Sequence, residues 1–280
     1  MKSAAIRLMM TTDAVGGVWV FSAKVARALG AAGCQVLLVT LGPLPTDAQR
    51  NMVRGCRGVS LLETDLQLEW QDPAGFDVSH ARAVLGEIAD GFAPDLIHLN
   101  GFRDAMFDWK VPSVVAAHSC VNSWASACGE GESFAGSEWR VYTANVEAGL
   151  RSADAWVAPT RAFRDLLARQ YDLPTKGHAI WNGVDGNGRR SLPKLPFILG
   201  AGRVWDKAKN LSALSSIASE IDWPIRIAGS SGLGERETPT AANGCEFLGE
   251  IPYHELQREM EAASIFVSPA LYEPFGLSVL

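Results

Sequence analysis

The sequence predicts an α/β fold in which two domains, each with a parallel sheet, face one another across a cleft. Three observations lead there. Short apolar runs such as Cys34-Gln-Val-Leu-Leu-Val-Thr40 and Ser113-Val-Val-Ala-Ala117 read as strands buried on both faces, the pattern of parallel sheets. They alternate with segments of helical spacing and short turns, which makes strand–helix–strand units. The polar tract 186–196, rich in Gly and Pro, interrupts the alternation, and the rhythm restarts after it. Residues 1–185 and 197–280 are therefore read as two Rossmann-like domains, with 186–196 as the linker.

The elements follow in order. Ala4–Met10 is the first strand, and Thr11–Gly17 is the loop after it. Val18–Gly33 has apolar residues at helical spacing (Val20, Val25, Ala28, Leu29) and ends on Gly33 as a C-cap. The strand at 34–40 is followed by a helix at Val84–Phe92, strands at Asp95–Leu99 and 113–117, and a helix at Glu138–Arg151. A strand at Ala155–Ala158 leads to a helix at Thr160–Gln170, with Thr160 placed to cap it. Gly177–Trp181 then runs into Asn182-Gly-Val-Asp185. In the second half, strands are read at Phe197–Ala201, Ile225–Ala228 and Glu246–Leu248, and helices at Asn210–Ile221 and Tyr253–Ala263. The last strand, Ser264–Pro269, breaks at its proline and turns through Glu273. It then meets Gly276, after which the apolar residues read as a helix start.

Composition narrows the function classes. An apolar content of 48% with 20% charged residues suits a chain that buries a core, and a net charge of −6 argues against nonspecific nucleic-acid binding. Five cysteines, odd in number and without Cys-x-x-Cys spacing, fit a reducing compartment rather than a disulfide framework or a zinc site. No run reaches the ~18–20 apolar residues of a membrane span. Arg7 interrupts the first apolar run, which leads into a loop and not into a cleavage site. A soluble cytoplasmic protein is expected, at most peripheral at the inner face of a membrane.

Candidate chemistry gathers where strands end, since open α/β sheets bind ligands beyond the carboxyl ends of their strands. Gly16-Gly17 lies between a strand and a helix, where a double glycine allows close backbone approach and leaves N–H groups free for an anion. It is neither a Walker loop nor Gly-x-Gly-x-x-Gly, so no nicotinamide cofactor is expected. His118 follows a strand of small and apolar residues, whereas His98 reads as a core residue. Arg203 and Lys209 follow the strand end Gly200-Ala-Gly and suit a diphosphate, the arginine as a fork and the lysine as a point charge. Lys207 reads as the solvated lysine of that loop. Glu273 precedes Phe275-Gly276-Leu277-Ser278, whose backbone N–H groups can meet hydroxyls or phosphate oxygens. With no His-x-x-x-His and no Asp-x-Asp, no metal site is expected, and the two cations supply the charge instead.

In order and spacing these pieces resemble the retaining glycosyltransferases of family four, which have the GT-B fold. The resemblance spans nearly the whole chain. It is carried by Val15-Gly-Gly-Val18, Asp95-Leu-Ile-His98, Ala117-His-Ser119, Ser152–Thr160, Asn182–Asp185, Gly202–Asn210, Phe247-Leu-Gly249 and Glu273-Pro-Phe-Gly-Leu277. It implies that Arg203 and Lys209 hold the donor diphosphate and that Glu273 contacts the transferred sugar. It also implies that His118 lies by the reaction centre, that Gly16 and Gly17 approach the phosphate and acceptor, and that the backbone near Ile251 reads the nucleotide base. The implied reaction moves a hexose from a nucleotide diphosphate sugar to an acceptor hydroxyl on a sugar, lipid-linked or small-molecule acceptor. It retains the anomeric configuration and needs neither metal nor cofactor. Two departures are visible. Asn210 stands where many relatives have Gly, and the second glutamate of the motif, eight positions after Glu273, would fall at 281. The expectation is thus of a chain cut inside its carboxylate motif, with the second domain incomplete and its activity in question. A sugar-nucleotide epimerase of the same fold, and a two-lobed sugar-binding protein, are the competing readings.

Overall fold

The computed structural model describes residues 5–173, 177–183, 193–232 and 245–280. Most of the expected linker, 186–192, lies outside the described residues. The chain forms two compact units: Met1–Ala125 with Gly131–Gly183, and Ser126–Glu130 with Val184–Leu280.

Unit 1 is built on a parallel seven-stranded sheet. Its strands are β1 (Arg7–Asp13), β2 (Gln35–Leu41), β3 (Val59–Glu63), β4 (Leu96–Leu99), β5 (Ser113–Ala116), β6 (Ala155–Ala158) and β7 (Gly177–Ala179). The sheet order is β3-β2-β1-β4-β5-β6-β7. Its helices are α1 (Gly17–Ala31), α2 (Asp47–Val53), α3 (Val78–Phe92), α5 (Ser137–Ser152) and α6 (Arg161–Gln170), together with the first five residues of α4 (Val121–Cys128), whose last three fall in unit 2. Leu8, Met10, Val36 and Leu38 of the sheet pack against Trp19, Ala23 and Ala26 of α1. Burying each of the larger of these side chains contributes about 1.5–3 kcal/mol. The strand order reverses between β1 and β4, and that reversal places the loops after these two strands side by side at one edge of the sheet.

Unit 2 has a parallel four-stranded sheet, in order β10-β9-β8-β11. Its elements are β8 (Leu195–Ala201), α7 (Ser212–Ile217), β9 (Ile225–Ala228), β10 (Cys245–Gly249), α8 (Tyr253–Ala262) and β11 (Ala263–Phe266). Ile198, Ile225 and Ile227 meet Leu211, Leu214 and Ala218 in its core. Here the reversal falls at β8, between β9 and β11, so the loops after β8 and β11 are the neighbours.

Several expectations need correction. β1 runs three residues past Met10, because Thr11 and Thr12 are buried and the Thr12 hydroxyl bonds Ser22 Oγ at 2.9 Å. Helix α1 ends at Ala31 with Ala32 as its C-cap, while Gly33 takes the positive φ of 98° that follows. α2, β3 and α4 were not expected. α7 stops at Ile217 and continues only as a 3₁₀ turn over Ala218–Glu220. The segment after Gly276 closes a single turn, in which the Val279 and Leu280 amides both donate to the Gly276 carbonyl. No helix among the described residues is long and apolar enough to cross a membrane.

Candidate functional site

At the carboxyl edge of the unit 1 sheet, Gly16 caps α1 with φ 73° and ψ −138°, a conformation a β-carbon disfavours. The turn before it is tied down: the Val15 amide donates to Asp13 Oδ1 at 2.7 Å, and Gln49 Nε2 donates to the Ala14 carbonyl at 2.8 Å. No side chain caps α1, so the N–H groups of its first turn, starting at Gly17, are available to an anion.

His118 stands two residues beyond β5, its ring edge-on to Phe21 with centroids 4.6 Å apart. Nε2 lies 2.7 Å from Asn100 Oδ1. Asn100 Nδ2 already donates to the Thr11 carbonyl (2.7 Å) and to Ser22 Oγ (3.1 Å), so Oδ1 is the acceptor and His118 Nε2 carries the proton. Burial, with neighbouring His98 adding to it, pushes the His118 pKa down to about 3, and burial pushes His98 to about 4. Both rings are neutral at physiological pH, which leaves Nδ1 of His118 as a hydrogen-bond acceptor. His98 Nε2 is buried without a partner among the described residues.

A cavity opens beside His118, lined by Thr11, Asp13, Glu69, Trp70 and Asn100 among others. Glu69 Oε2 accepts the amides of Phe102 (3.0 Å) and Arg103 (2.7 Å), and burial pushes its carboxyl up to about 7. The Arg103 side chain is buried beneath, bonded to Asp104 Oδ1 at 2.9 Å. Glu69 and Asn100 were not picked out from the sequence. Both sit in loops after apolar stretches, and neither belongs to a motif that spacing alone can mark.

In unit 2, the expected residues fall on the neighbouring loops after β8 and β11. Arg203 grips Asp206 Oδ2 through Nη2 (2.5 Å) and Nε (3.2 Å). The other oxygen of Asp206 accepts the Ala208 amide at 2.9 Å, which caps the 3₁₀ turn Lys207–Lys209. Lys209 Nζ pairs with Glu273 Oε2, while Glu273 Oε1 accepts the Gly276 amide at 3.0 Å. Residues 64 positions apart in the chain are thus brought into contact. The loops are also stitched by main chain, with the Leu271 amide on the Ala208 carbonyl at 2.8 Å and Asn210 Nδ2 on the Pro269 carbonyl at 3.1 Å. Lys207 pairs with Glu130 and is not simply solvated. Gly276 is buried with φ 86°, and Phe275, Leu277 and Ser278 around it are partly buried. Ile251 lies apart from this group, two residues beyond β10 at the far edge of the sheet.

Asn210 adopts the left-handed conformation, with φ 51° and ψ 30°. That explains why Asn serves where Gly is the alternative, since these two residues enter this region most readily. Asn210→Val is expected to destabilise unit 2 by about 1–3 kcal/mol. Asn210→Gly, which loses only the bond to Pro269, should cost less than about 1.5 kcal/mol. Chemical denaturation of both variants checks the ranking, and equal losses would show that the backbone conformation is not what selects the residue.

Comparison with known proteins identifies the family and the fold. The profile of Glycosyltransferase Family 4 matches residues 15–187. Among solved structures, the chain is similar to Alr3699/HepE of Anabaena, determined in complex with UDP and glucose. The TM-score is 0.71 at 16% identity, over 98% of this chain and 77% of that one. It is similar to a glycosyltransferase from Rickettsia africae ESF-5, with TM-score 0.67 at 14% identity, over 99% and 76%. It is similar also to TarM, with TM-score 0.63 at 10% identity, over 98% and 82%. No curated protein sequence matches it significantly. The fold is that of the GT-B glycosyltransferases, and with more than half of its length matched the chain belongs to Glycosyltransferase Family 4.

Proposed function

We propose that this glycosyltransferase moves a hexosyl group from a nucleotide diphosphate sugar to an acceptor hydroxyl, retaining the anomeric configuration and requiring no metal. The observation that carries this reading is the contact among Lys209, Glu273 and the Gly276 amide on the two neighbouring loops of unit 2, beside Arg203. A cation, a carboxylate and a backbone N–H in one place suit the two ends of such a donor. Lys209 and Arg203 take the diphosphate, and the amides at Phe275–Ser278 with Glu273 take hydroxyls of the sugar. Ile251 lies toward the base. As the glycosidic bond breaks, negative charge grows on the departing phosphate, and the two cations stabilise that charge more than they stabilise the intact donor. Retention follows if the acceptor attacks from the leaving group's own face, with the leaving phosphate helping to take the acceptor proton. Within unit 1 itself, His118 is neutral and no side chain caps the start of α1 at Gly16 and Gly17. That one structural neighbour was determined with UDP and glucose supports the donor class. No disulfide is formed among the described residues, which supports a cytoplasmic setting, at most peripheral to a membrane.

Metal independence is supported by the residues themselves. Arg203 and Lys209, on one loop of unit 2, can supply the positive charge that a diphosphate otherwise takes from a divalent ion. Turnover of a nucleotide sugar, read as nucleoside diphosphate release, is expected to persist in excess chelator. Abolition by EDTA with recovery on adding manganese would overturn this part of the reading.

A further inference from the structure

One buried carboxylate, that of Asp206, ties the two cations of unit 2 to a common point. Its side chain is 4% exposed, against 40% for Arg203. Its two oxygens face different neighbours. Oδ2 accepts Nη2 and Nε of Arg203, whereas Oδ1 accepts the Ala208 amide inside the 3₁₀ turn that ends at Lys209. The main chain repeats the link. The Asp206 amide donates to the Arg203 carbonyl at 3.1 Å, and the Asp206 carbonyl accepts the Lys209 amide at 2.9 Å. The Trp205 ring lies against the same guanidinium, with 5.4 Å from Cζ to the ring centroid. Nη1 of Arg203 makes no hydrogen bond among the described residues.

We propose that Asp206 is a positioning residue that sets Arg203 and Lys209 in a fixed relation before a diphosphate arrives, while Trp205 restrains the guanidinium from its face. The inference rests on the transferase reading given above and names the group that prepares its donor grip. An arginine and a lysine on an exposed loop lose rotamer freedom when they bind an anion, and that loss weakens binding. With Nε and Nη2 already fixed on Asp206, the Nη1 side of the fork is presented in one orientation. Charge alone argues the other way, because a carboxylate bonded to Arg203 offsets part of its pull on a diphosphate. Removing the carboxylate therefore weakens binding if geometry decides and tightens it if charge does. The two-bond grip on Arg203 and the shared turn to Lys209 favour geometry.

The test uses the intact chain and calorimetric titration with UDP, ADP and GDP, of which wild type should bind at least one. In Asp206→Asn the side chain, a favoured cap, keeps the Ala208 amide and loses the arginine, since its one acceptor cannot serve both. It should weaken nucleoside diphosphate binding by about 10-fold. In an Arg203→Ala background the same substitution should cause no further loss, a non-additivity that general damage to the fold would not give. Asp206→Ala removes the cap as well, and in that background it should still lower affinity through Lys209. Trp205→Ala, at a position 57% exposed, should weaken binding about 2–5-fold, again only while Arg203 is present. It keeps the test available if the Asp206 variants fail to fold. Unchanged or tighter binding by Asp206→Asn, or equal losses with and without Arg203 for the asparagine or the Trp205 variant, overturns the positioning role and leaves the transferase reading standing. Binding of none of the three nucleotides, and of no nucleotide sugar, by the wild-type chain overturns both.

Discussion

Replacing Lys209 by methionine is expected to lower kcat/KM for nucleotide-sugar turnover by about 10²–10³-fold, the scale for removing one charge-stabilising group from a transition state. The melting temperature should move little. The Lys209 stem runs along Gly202, where a β-carbon would sit 3.4 Å from its Cγ, and methionine keeps most of that packing. What disappears is the ammonium. Its pairing with Glu273 is partly solvated, with side chains 23% and 27% exposed, so the pair itself stabilises the fold by no more than ~1 kcal/mol. Glu273 also keeps the Gly276 amide. The diagnostic is therefore the separation between a large kinetic effect and a small thermal one. Lys209→Arg restores charge as a broad fork rather than a point, and should recover part of the activity. If Lys209→Met retained full kcat/KM, the leaving phosphate would have to be held elsewhere.

The second large effect concerns pH. His98 and His118, held near 4 and 3, compare with about 6.5 in an unfolded chain. As pH falls below 6.5 the unfolded state takes up two protons that the folded state refuses, so this contribution to stability is lost on acidification. Glu69 acts the other way. Its folded value of about 7 lies above the ordinary carboxyl range, so between about pH 7 and 4.5 the folded state holds a proton that the unfolded one has released. Asp104, also raised by burial, acts in the same direction as Glu69. The variants isolate each contribution. Between about pH 4.5 and 6, Glu69→Gln should steepen the acid loss of stability by roughly 1.4 kcal/mol per pH unit relative to wild type, and His118→Asn should flatten it by a similar amount. Denaturant unfolding followed by tryptophan fluorescence across that range measures both slopes. Identical slopes for the three proteins would mean that these groups are not buried as described.

The alternation of strand and helix was legible because parallel strands are apolar throughout and their connections are short. β2, β5, β6 and β9 were therefore read nearly to the residue. The failures have physical causes. β3 is a half-buried edge strand, so its residues never form an apolar run. The end of β1 carries Thr11 and Thr12, which look like loop residues in sequence, yet the Thr12 hydroxyl bonds Ser22 of α1 and the Thr11 hydroxyl accepts the Asn100 amide just beyond β4. α2 carries a local sequence signal of its own, the reciprocal cap between Thr46 and Gln49. In unit 2 the motif order pointed to Arg203, Lys209 and Glu273, but the contact between Lys209 and Glu273 depends on the reversal of strand order at β8, which no local pattern encodes. Glu69 was invisible for a related reason, since its character comes from two amides contributed more than thirty residues later in the chain.

The glycines at the strand ends of unit 2 carry a consequence for how such an enzyme can diverge. Gly229 approaches Gly202 so closely that a β-carbon on it would lie 1.7 Å from the Gly202 carbonyl oxygen. Around that contact the Gly202 amide reaches the Ala228 carbonyl, the Val204 amide reaches Ser230, and the Gly229 amide reaches Gly249. The platform under Arg203 is thus made of main chain, which every sequence shares. Substitutions on the surrounding loops can change the side chains presented there without shifting the anchor on which they stand. Gly229 itself is closed to exchange.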